Sequence, residues 1–108
     1  MLNRDAILAF KDNRIGKLDV PTLGGEIGLA TLTAAEADRI RLLGEDGVPA
    51  SVGVVILGAC DAEGNRLFTD KDAQALAGLP AAEVGAIAKA ILDHNGLTGA
   101  SQDEAKND

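Results

Sequence analysis

The stretch Asp61-Ala-Glu-Gly-Asn-Arg-Leu-Phe-Thr-Asp-Lys-Asp72 decides how the chain folds back on itself. Its first five residues predict a turn, because Gly64 and Asn65 adopt positive φ at low cost. The next three residues, 66–68, predict a short extended piece with its apolar side chains pointing inward. Thr69 followed three residues later by Asp72 predicts a capped helix start. We call residues 61–72 the hinge, since the sequence predicts a sheet and a buried segment before it and two helices after it.

The N-terminal residues predict a short helix from Arg4 to about Lys11, capped by Asn3. Its apolar side is formed by Ile7, Leu8 and Phe10. About two turns are too few for a helix to be stable alone in water. We therefore expect this helix to dock on another part of the structure.

The residues after this helix predict a small antiparallel β-hairpin. Leu18 and Val20 alternate with Asp19, and Ile27 and Leu29 recur at the same two-residue spacing. Pro21 with the pair at 24–25 supplies the connection. Two runs of period two around a Pro and Gly-Gly turn are typical of a hairpin. Such a hairpin is marginal unless a helix covers its apolar face.

Two further elements precede the hinge. Thr33-Ala-Ala-Glu36 is a capping box that predicts a helix ending at Gly44, with Ala37, Ile40 and Leu43 on its apolar face. The run 50–60 is apolar throughout, so periodicity does not separate a buried helix from a central strand. Its valines favour a strand, whereas its length favours a helix. We predict a helix, and in either conformation the most buried element.

After the hinge, a short helix is predicted from Asp70 to residue 76 or 77, and a last helix begins at Leu79-Pro80. One face of the last helix carries Val84, Ile87, Ala88 and Ile91. Asn95-Gly-Leu97 predicts a Schellman end. Residues 98–108 are acidic and lack apolar periodicity, so we expect a disordered tail. The sequence thus predicts a mostly helical α+β domain over residues 1–97, with a small N-terminal antiparallel hairpin and a disordered acidic tail over 98–108.

Composition and charge exclude several classes of function. The formal net charge is −7, which disfavours binding to phosphate backbones and to anionic membrane surfaces. No run approaches the roughly 20 apolar residues of a membrane span, and Met1 to Asp5 do not read as a signal peptide. One Cys permits no internal disulfide, and Cys60, inside the apolar run, is expected to be a small buried hydrophobe.

Few residues offer chemistry. Asp61, Glu63, Asn65 and Asp72 fall at the first, third, fifth and twelfth positions of a calcium-binding loop, but Arg66 takes the position that requires Gly. A calcium-responsive module at 61–72 is therefore a minor alternative to a plain turn and cap. His94 lies at a helix C-terminus, where a structural role is expected. We predict no catalytic, metal or cofactor-binding residues, no cofactor and no enzymatic activity.

Taken in order, five segments resemble the tail assembly chaperones of long-tailed bacteriophages. They are Met1–Leu8, Asp19-Val-Pro21 with Gly24-Gly25, Leu32–Glu36, Asp61–Asp70 and Asn95–Leu97. The resemblance spans residues 1 to about 98 and departs from the family at Leu23 and in the last helix, where relatives often carry an aromatic residue. It supplies no binding motif that can be transferred residue by residue, so the partner-binding residues stay unassigned.

The resemblance implies a non-enzymatic protein that coats the tape measure protein while the tail tube polymerises around it. It implies a protein of the host cytoplasm that is absent from the mature virion, with the tail tube protein as a further partner. Because coating a rod requires many copies, self-association is expected. A programmed frameshift that appends a second domain is common in this family. The alternative is a structural head–tail or tail tube component that remains in the particle.

Overall fold

Residues 1–97 are described by the computed structural model, and within them five α-helices and three strands follow the order of an α+β fold. The predicted fold class is confirmed, whereas the predicted disordered tail, 98–108, lies outside the described residues. The elements are α1 (Arg4–Leu8), β1 (Ile15–Val20), β2 (Gly25–Ala30), α2 (Ala34–Glu45), α3 (Ala50–Gly58), β3 (Ala59–Cys60), α4 (Ala73–Ala77) and α5 (Ala81–His94), with 3₁₀ turns at Pro21–Leu23 and Asp70–Asp72.

The predicted hairpin is present as β1 and β2, which pair antiparallel with Leu18 opposite Ile27. Pro21 ends β1, and Gly24 completes the connection with a φ of 79°. The two-residue strand β3 extends the sheet on the other side of β2, so the strand order is β1-β2-β3. Gly28 is required at this pairing, because a Cβ there would lie 2.7 Å from the carbonyl oxygen of Cys60. The sheet therefore tolerates no side chain at this position.

The run 50–60 is a helix with a strand at its end. Residues 50–58 form α3, and Ala59 and Cys60 then turn into β3. The preferred prediction of a helix is confirmed for the first nine residues, and the predicted burial is confirmed, with Val52, Val54, Val55 and Ile56 all buried. β3 was not predicted, because its two residues continue the apolar run without a break.

The remaining helices cover α3. In α2, Leu43 is buried and Ile40 is half-buried against the core. In α5 all four residues of the predicted apolar face are buried, namely Val84, Ile87, Ala88 and Ile91. α2 extends one residue beyond the predicted Gly44. The Schellman end of α5 is confirmed, since Gly96 has a φ of 68° and the Leu97 N–H donates to the Leu92 carbonyl over 2.8 Å.

The hinge is largely as predicted. Gly64 has a φ of 89°, and Thr69 with Asp72 forms the predicted capping box. Two details were wrong. Asn65 does not adopt positive φ, since Gly64 alone makes this turn. Leu67 is about half exposed and it is Phe68 that packs on the core, because successive side chains of an extended segment point to opposite faces.

The prediction that the first helix docks on the fold was wrong. α1 ends at Leu8 instead of about Lys11, and none of its residues is buried. Ile7, Leu8 and Phe10 are all exposed. Its Asn3 cap is formed as predicted, with the side-chain oxygen accepting the Ala6 N–H. The local signals were therefore read correctly, but the rest of the described chain offers α1 no contact that buries it.

The close approach of α3 to α5 yields a stability prediction. A Cβ at Gly58 would lie 3.1 Å from Cδ1 of Ile91 and closer still to its Cγ2. Ile91 is fully buried and has no room to move away. We expect Gly58→Ala to lower the free energy of unfolding by about 1–3 kcal/mol through overpacking, measured by chemical denaturation.

Gly85→Ala is the matched control, because a Cβ at Gly85 meets nothing within 4 Å. It lies inside α5, where alanine is favoured over glycine by up to about 1 kcal/mol. Equal effects of the two substitutions would contradict the packing of α3 on α5 described above.

Candidate interaction surfaces

An apolar groove of about 340 Å³ opens between the hairpin connection, the hinge and the start of α5. Its principal apolar side chains are Leu23, Ile27, Phe68, Leu76, Leu79 and Ile87. Leu76 and Ile87 are buried and form part of the floor, whereas Leu23 and Leu79, 69% and 52% exposed, form the rim. We call this surface the apolar groove.

The polar side chains of the groove lie at one edge. There the Thr22 hydroxyl donates a hydrogen bond to the Glu83 carboxylate over 2.9 Å. This bond ties the hairpin connection to the first turn of α5 and leaves a negative charge beside the apolar rim. The groove is therefore suited to an apolar segment that carries positive charge.

A second apolar surface lies at the N-terminus. We call residues 1–10 the N-terminal arm. Five of its side chains are large, apolar and exposed, namely those of Met1, Leu2, Ile7, Leu8 and Phe10. Phe10, 75% exposed, is one of two aromatic residues in the chain. Among residues 1–97, no other segment of this length exposes as many large apolar side chains.

The base of the arm is fixed to the sheet and to α5. The Thr31 hydroxyl donates to the Arg14 carbonyl over 2.6 Å, so the same hydroxyl can accept only from His94, whose Nε2 lies 3.1 Å away. Nε2 also lies 3.3 Å from the Arg14 carbonyl. Because both neighbours accept, the hydrogen of the neutral ring is on Nε2. His94 thus has the structural position that the sequence predicts, joining the end of α5 to the strands.

Asp12 reinforces this base. Its carboxylate accepts from Nε of Arg14 over 3.0 Å and from the Arg14 backbone N–H over 3.1 Å. The side-chain hydrogen bond from Arg14 is the main reason why the pKa of Asp12 is lowered. The chain at residues 12–14 is therefore held in one place while the arm beyond it is uncovered.

Asn95 makes a further connection that sequence reasoning identified only as a helix cap. Its amide oxygen accepts from the Leu32 N–H over 2.7 Å, and its amide nitrogen donates to the Ala30 carbonyl over 3.0 Å. The side chain thereby replaces a peptide group of a neighbouring strand at the end of β2. Its signal in the sequence, Asn before Gly at a helix end, predicts the cap but not these long-range bonds.

The four candidate calcium ligands are not brought together. Asp61 is occupied by its own turn, since it accepts the N–H groups of Glu63 and Asn65, each over 2.9 Å. Asp72 accepts the Thr69 N–H in the capping box. Within residues 1–97, no group of three or more His, Cys, Asp or Glu side chains is placed to hold a metal ion.

A polar pocket beside the hinge contains charged groups that are already paired. Arg66 donates to the Glu36 carboxylate over 2.8 Å and to the Leu57 carbonyl over 2.6 Å, which links the start of α2 and the end of α3 to the hinge. The other guanidinium in this pocket, that of Arg14, is paired with Asp12. These charges stabilise the local structure. Each of the two guanidinium groups therefore has a carboxylate partner among the residues that line the same pocket.

Cys60 is buried in β3, as predicted for a small hydrophobe. Burial raises the pKa of its thiol, an effect that the nearby Arg66 only partly opposes. A thiol held protonated is a poor nucleophile. Its position therefore indicates packing rather than chemistry.

Comparison with family models, curated proteins and solved structures found no match to this chain. In residues 1–97 there is also no helix that is both long and apolar enough to cross a bilayer. Their exposed apolar side chains make the arm and the apolar groove the candidate interaction surfaces. Sequence analysis missed the groove, because Leu23 and Leu79 come from distant segments and their local patterns indicate only a turn and a helix start.

Asn95→Ala tests the connection between α5 and β2. The substitution leaves the half-buried Leu32 N–H and Ala30 carbonyl without their partner, so we expect a loss of about 2–3 kcal/mol in the free energy of unfolding. Asn65→Ala is the control, because its side chain makes one hydrogen bond in an exposed turn. If both variants lose the same small amount in denaturant titrations, Asn95 does not hold the sheet.

Asp61 predicts a dependence of stability on pH. Its pKa is lowered from 3.8, mainly by the hydrogen bond from the Asn65 N–H. A carboxyl group with a lower pKa in the folded state stabilises the fold above its unfolded pKa and loses that contribution as the pH falls through the folded pKa.

The difference in stability between the wild type and Asp61→Asn should therefore be full above about pH 5 and shrink towards acid. Thermal melting of both proteins across this range measures it. A difference that does not change with pH would show that the charge of Asp61 contributes nothing.

Proposed function

We propose that this chain is a non-enzymatic tail assembly chaperone of a long-tailed bacteriophage, which binds the tape measure protein and keeps it soluble while the tail tube polymerises. In this proposal the protein acts in the host cytoplasm and is absent from the mature virion. It also includes the tail tube protein as a further partner.

The observation that carries the proposal is the presence of two apolar surfaces on an acidic chain. The arm and the apolar groove expose aliphatic and aromatic side chains, while the whole chain has a net charge of −7. Exposed apolar patches of this kind mark interaction sites. The net negative charge keeps such a protein soluble while it holds an aggregation-prone partner.

The local structure of the resembling segments supports the same proposal. The segment at Leu32–Glu36 contains the capping box of α2, and the hinge segment contains the turn and the cap before α4. Asn95–Leu97 forms the Schellman end of α5. Each segment thus has a defined structural role at a junction between elements, which is where a family would retain order and spacing.

Co-expression with the tape measure protein of the same phage tests the proposal. We expect the wild type to keep the tape measure protein in the soluble fraction and to co-purify with it. A triple variant, Ile7→Asp with Phe10→Asp and Leu79→Asp, should lose this ability, because it places charges on both apolar surfaces.

Leu42→Asp is the control, since Leu42 is an exposed leucine of α2 outside both surfaces. It should behave like the wild type. The proposal fails if the wild-type chain forms no complex and leaves the tape measure protein insoluble.

A structural component of the head–tail junction or the tail tube is the competing assignment. Mass spectrometry of purified virions separates the two, because a chaperone should be missing from the particle. Detection in stoichiometric amounts would favour the structural component.

A further inference from the structure

We propose that Asn95 is a site of self-modification, which the folded chain holds unreactive and which opening of the end of α5 makes reactive. The modification is deamidation, in which the side-chain amide of Asn95 becomes a carboxyl group. The inference rests on Asn95, Gly96 and their hydrogen bonds, and it is independent of the proposed function.

The dipeptide Asn95-Gly96 has the local sequence that favours this reaction. Asparagine deamidates when the backbone nitrogen of the following residue attacks its side-chain carbonyl carbon, and a glycine in that place offers the least steric hindrance. The chain contains five asparagines, and three of them precede an arginine. Asn95 is the one that precedes a glycine, so its local sequence makes it the most reactive of the five.

The reaction balances with water as its only co-reactant. The Gly96 nitrogen forms a bond to Cγ of Asn95 and loses its proton to solvent, and the bond between Cγ and Nδ2 breaks to release ammonia. Water then hydrolyses the resulting five-membered succinimide at either of its two carbonyl groups. One cleavage yields aspartate, and the other yields isoaspartate, in which the main chain continues through the side chain.

In the folded chain the amide group of Asn95 is fully engaged. Its oxygen accepts the Leu32 N–H over 2.7 Å, and its nitrogen donates to the Ala30 carbonyl over 3.0 Å and to the Ile91 carbonyl over 2.9 Å. Both amide hydrogens therefore have an acceptor. Cγ is held towards the end of β2, and it turns towards Gly96 only after these three bonds break.

The attacking nitrogen is held away from Cγ as well. The Gly96 N–H donates to the Asp93 carbonyl over 3.1 Å. Asn95 has a ψ of 0°, which places the Gly96 nitrogen beside the backbone nitrogen of Asn95 and away from its Cβ. Closure of the five-membered ring requires a rotation that brings the attacking nitrogen to the Cβ side. The reaction therefore needs a change in the main chain at the turn that ends α5.

The end of α5 is a place where such a change is accessible. Helix ends fray, and segments open locally at a lower free energy than the whole domain unfolds. The turn after α5 is closed by the Leu97 N–H, which donates to the Leu92 carbonyl over 2.8 Å, and Leu97 itself is 41% exposed. When this bond and the bonds of the Asn95 amide break together, both obstacles to ring closure are removed.

Deamidation prevents the turn from closing again in its original form. A carboxylate at position 95 keeps an acceptor for the Leu32 N–H but loses both donors, and its charge faces the carbonyls of Ala30 and Ile91. The charge also lies at the C-terminus of α5, where the helix dipole disfavours an anion. Each opening that ends in reaction therefore leaves α5 permanently weaker in its attachment to β2.

Peptide mapping by mass spectrometry measures the rate at Asn95 in the purified full-length protein, kept at slightly alkaline pH in buffer or in denaturing guanidinium chloride. We expect deamidation to be at least about tenfold slower in buffer, because the reaction then waits for an unfavourable opening. The result establishes whether the fold protects this site.

A matched pair of variants tests the role of the turn. Leu97→Pro removes the N–H that closes the turn, whereas Leu97→Ala keeps it. Each rate in buffer is divided by the rate of the same variant in denaturant, so that differences in intrinsic reactivity cancel. On this scale the proline variant should deamidate about threefold or more faster than the alanine variant, as expected for the loss of one hydrogen bond.

Asn95→Asp reproduces the aspartate product and tests the structural consequence. We expect its melting temperature to fall by roughly 5 °C or more, because two hydrogen bonds are lost at the joint between α5 and β2. Asn13→Asp is the control, since it makes the same chemical change at an exposed side chain, and it should melt like the wild type.

Equal rates at Asn95 in buffer and in denaturant overturn the inference, because the fold then gives no protection. So does a denatured chain in which Asn95 does not react, and so do equal relative rates of the two Leu97 variants. An Asn95→Asp protein that melts like the wild type overturns the proposed consequence.

The wild type in guanidinium chloride below its unfolding midpoint gives a second test, which needs no variant to fold. Deamidation that accelerates before the circular dichroism signal changes supports local opening at the end of α5. Deamidation that only follows global unfolding overturns it.

Discussion

The structure depends on covering a helix that has no polar side. α3 runs from Ala50 to Gly58 and is buried around most of its circumference, so apolar surface must meet it in several directions. α2 and α5 pack on it, α4 contacts it after the hinge, and its own continuation, β3, joins the sheet. The approach of α5 is close because Gly58 has no side chain to hold Ile91 away. The core that results is aliphatic, with Phe68 at its margin.

The helices α2, α4 and α5 cover α3, and β1 and β2 pack on α5, whereas α1 has no buried residue. The strands are held against the end of α5 by Asn95 and His94, which fixes where the chain enters β1. The arm before that point has no place in the core, and the groove at the other end of the hairpin has no segment of the described chain in it. The same packing that closes the core thereby leaves both apolar surfaces exposed, the arm before β1 and the groove beside the hairpin connection.

The sequence predicted well the features that depend on residues close together in the chain. The hairpin, the capping boxes at Thr33 and Thr69 and the Schellman end at Leu97 each depend on a few residues within one turn, and each is present. The periodic face of α5 was also predictable, because a single helix repeats one pattern over several turns. The mostly helical α+β class follows from these elements.

What the sequence did not predict depends on contacts between distant residues. The Arg66 side chain binds the Leu57 carbonyl and Glu36, and Asn95 binds β2, yet both residues look locally like parts of a turn and a cap. The groove combines residues from the hairpin connection, the hinge and α5, so no single segment signals it. The prediction that α1 docks on the fold was wrong for a related reason. The apolar side of a short helix shows that burial would stabilise it, but not which surface would bury it.

The aliphatic character of the fold has an optical consequence. With neither Trp nor Tyr in 108 residues, the protein is almost transparent near 280 nm and has no tryptophan fluorescence. A single indole introduced at the rim, for example at Leu79, would therefore emit against a dark background. Its emission wavelength would report directly whether that rim is exposed to water or covered, in the purified chain and in mixtures with tryptophan-free partners.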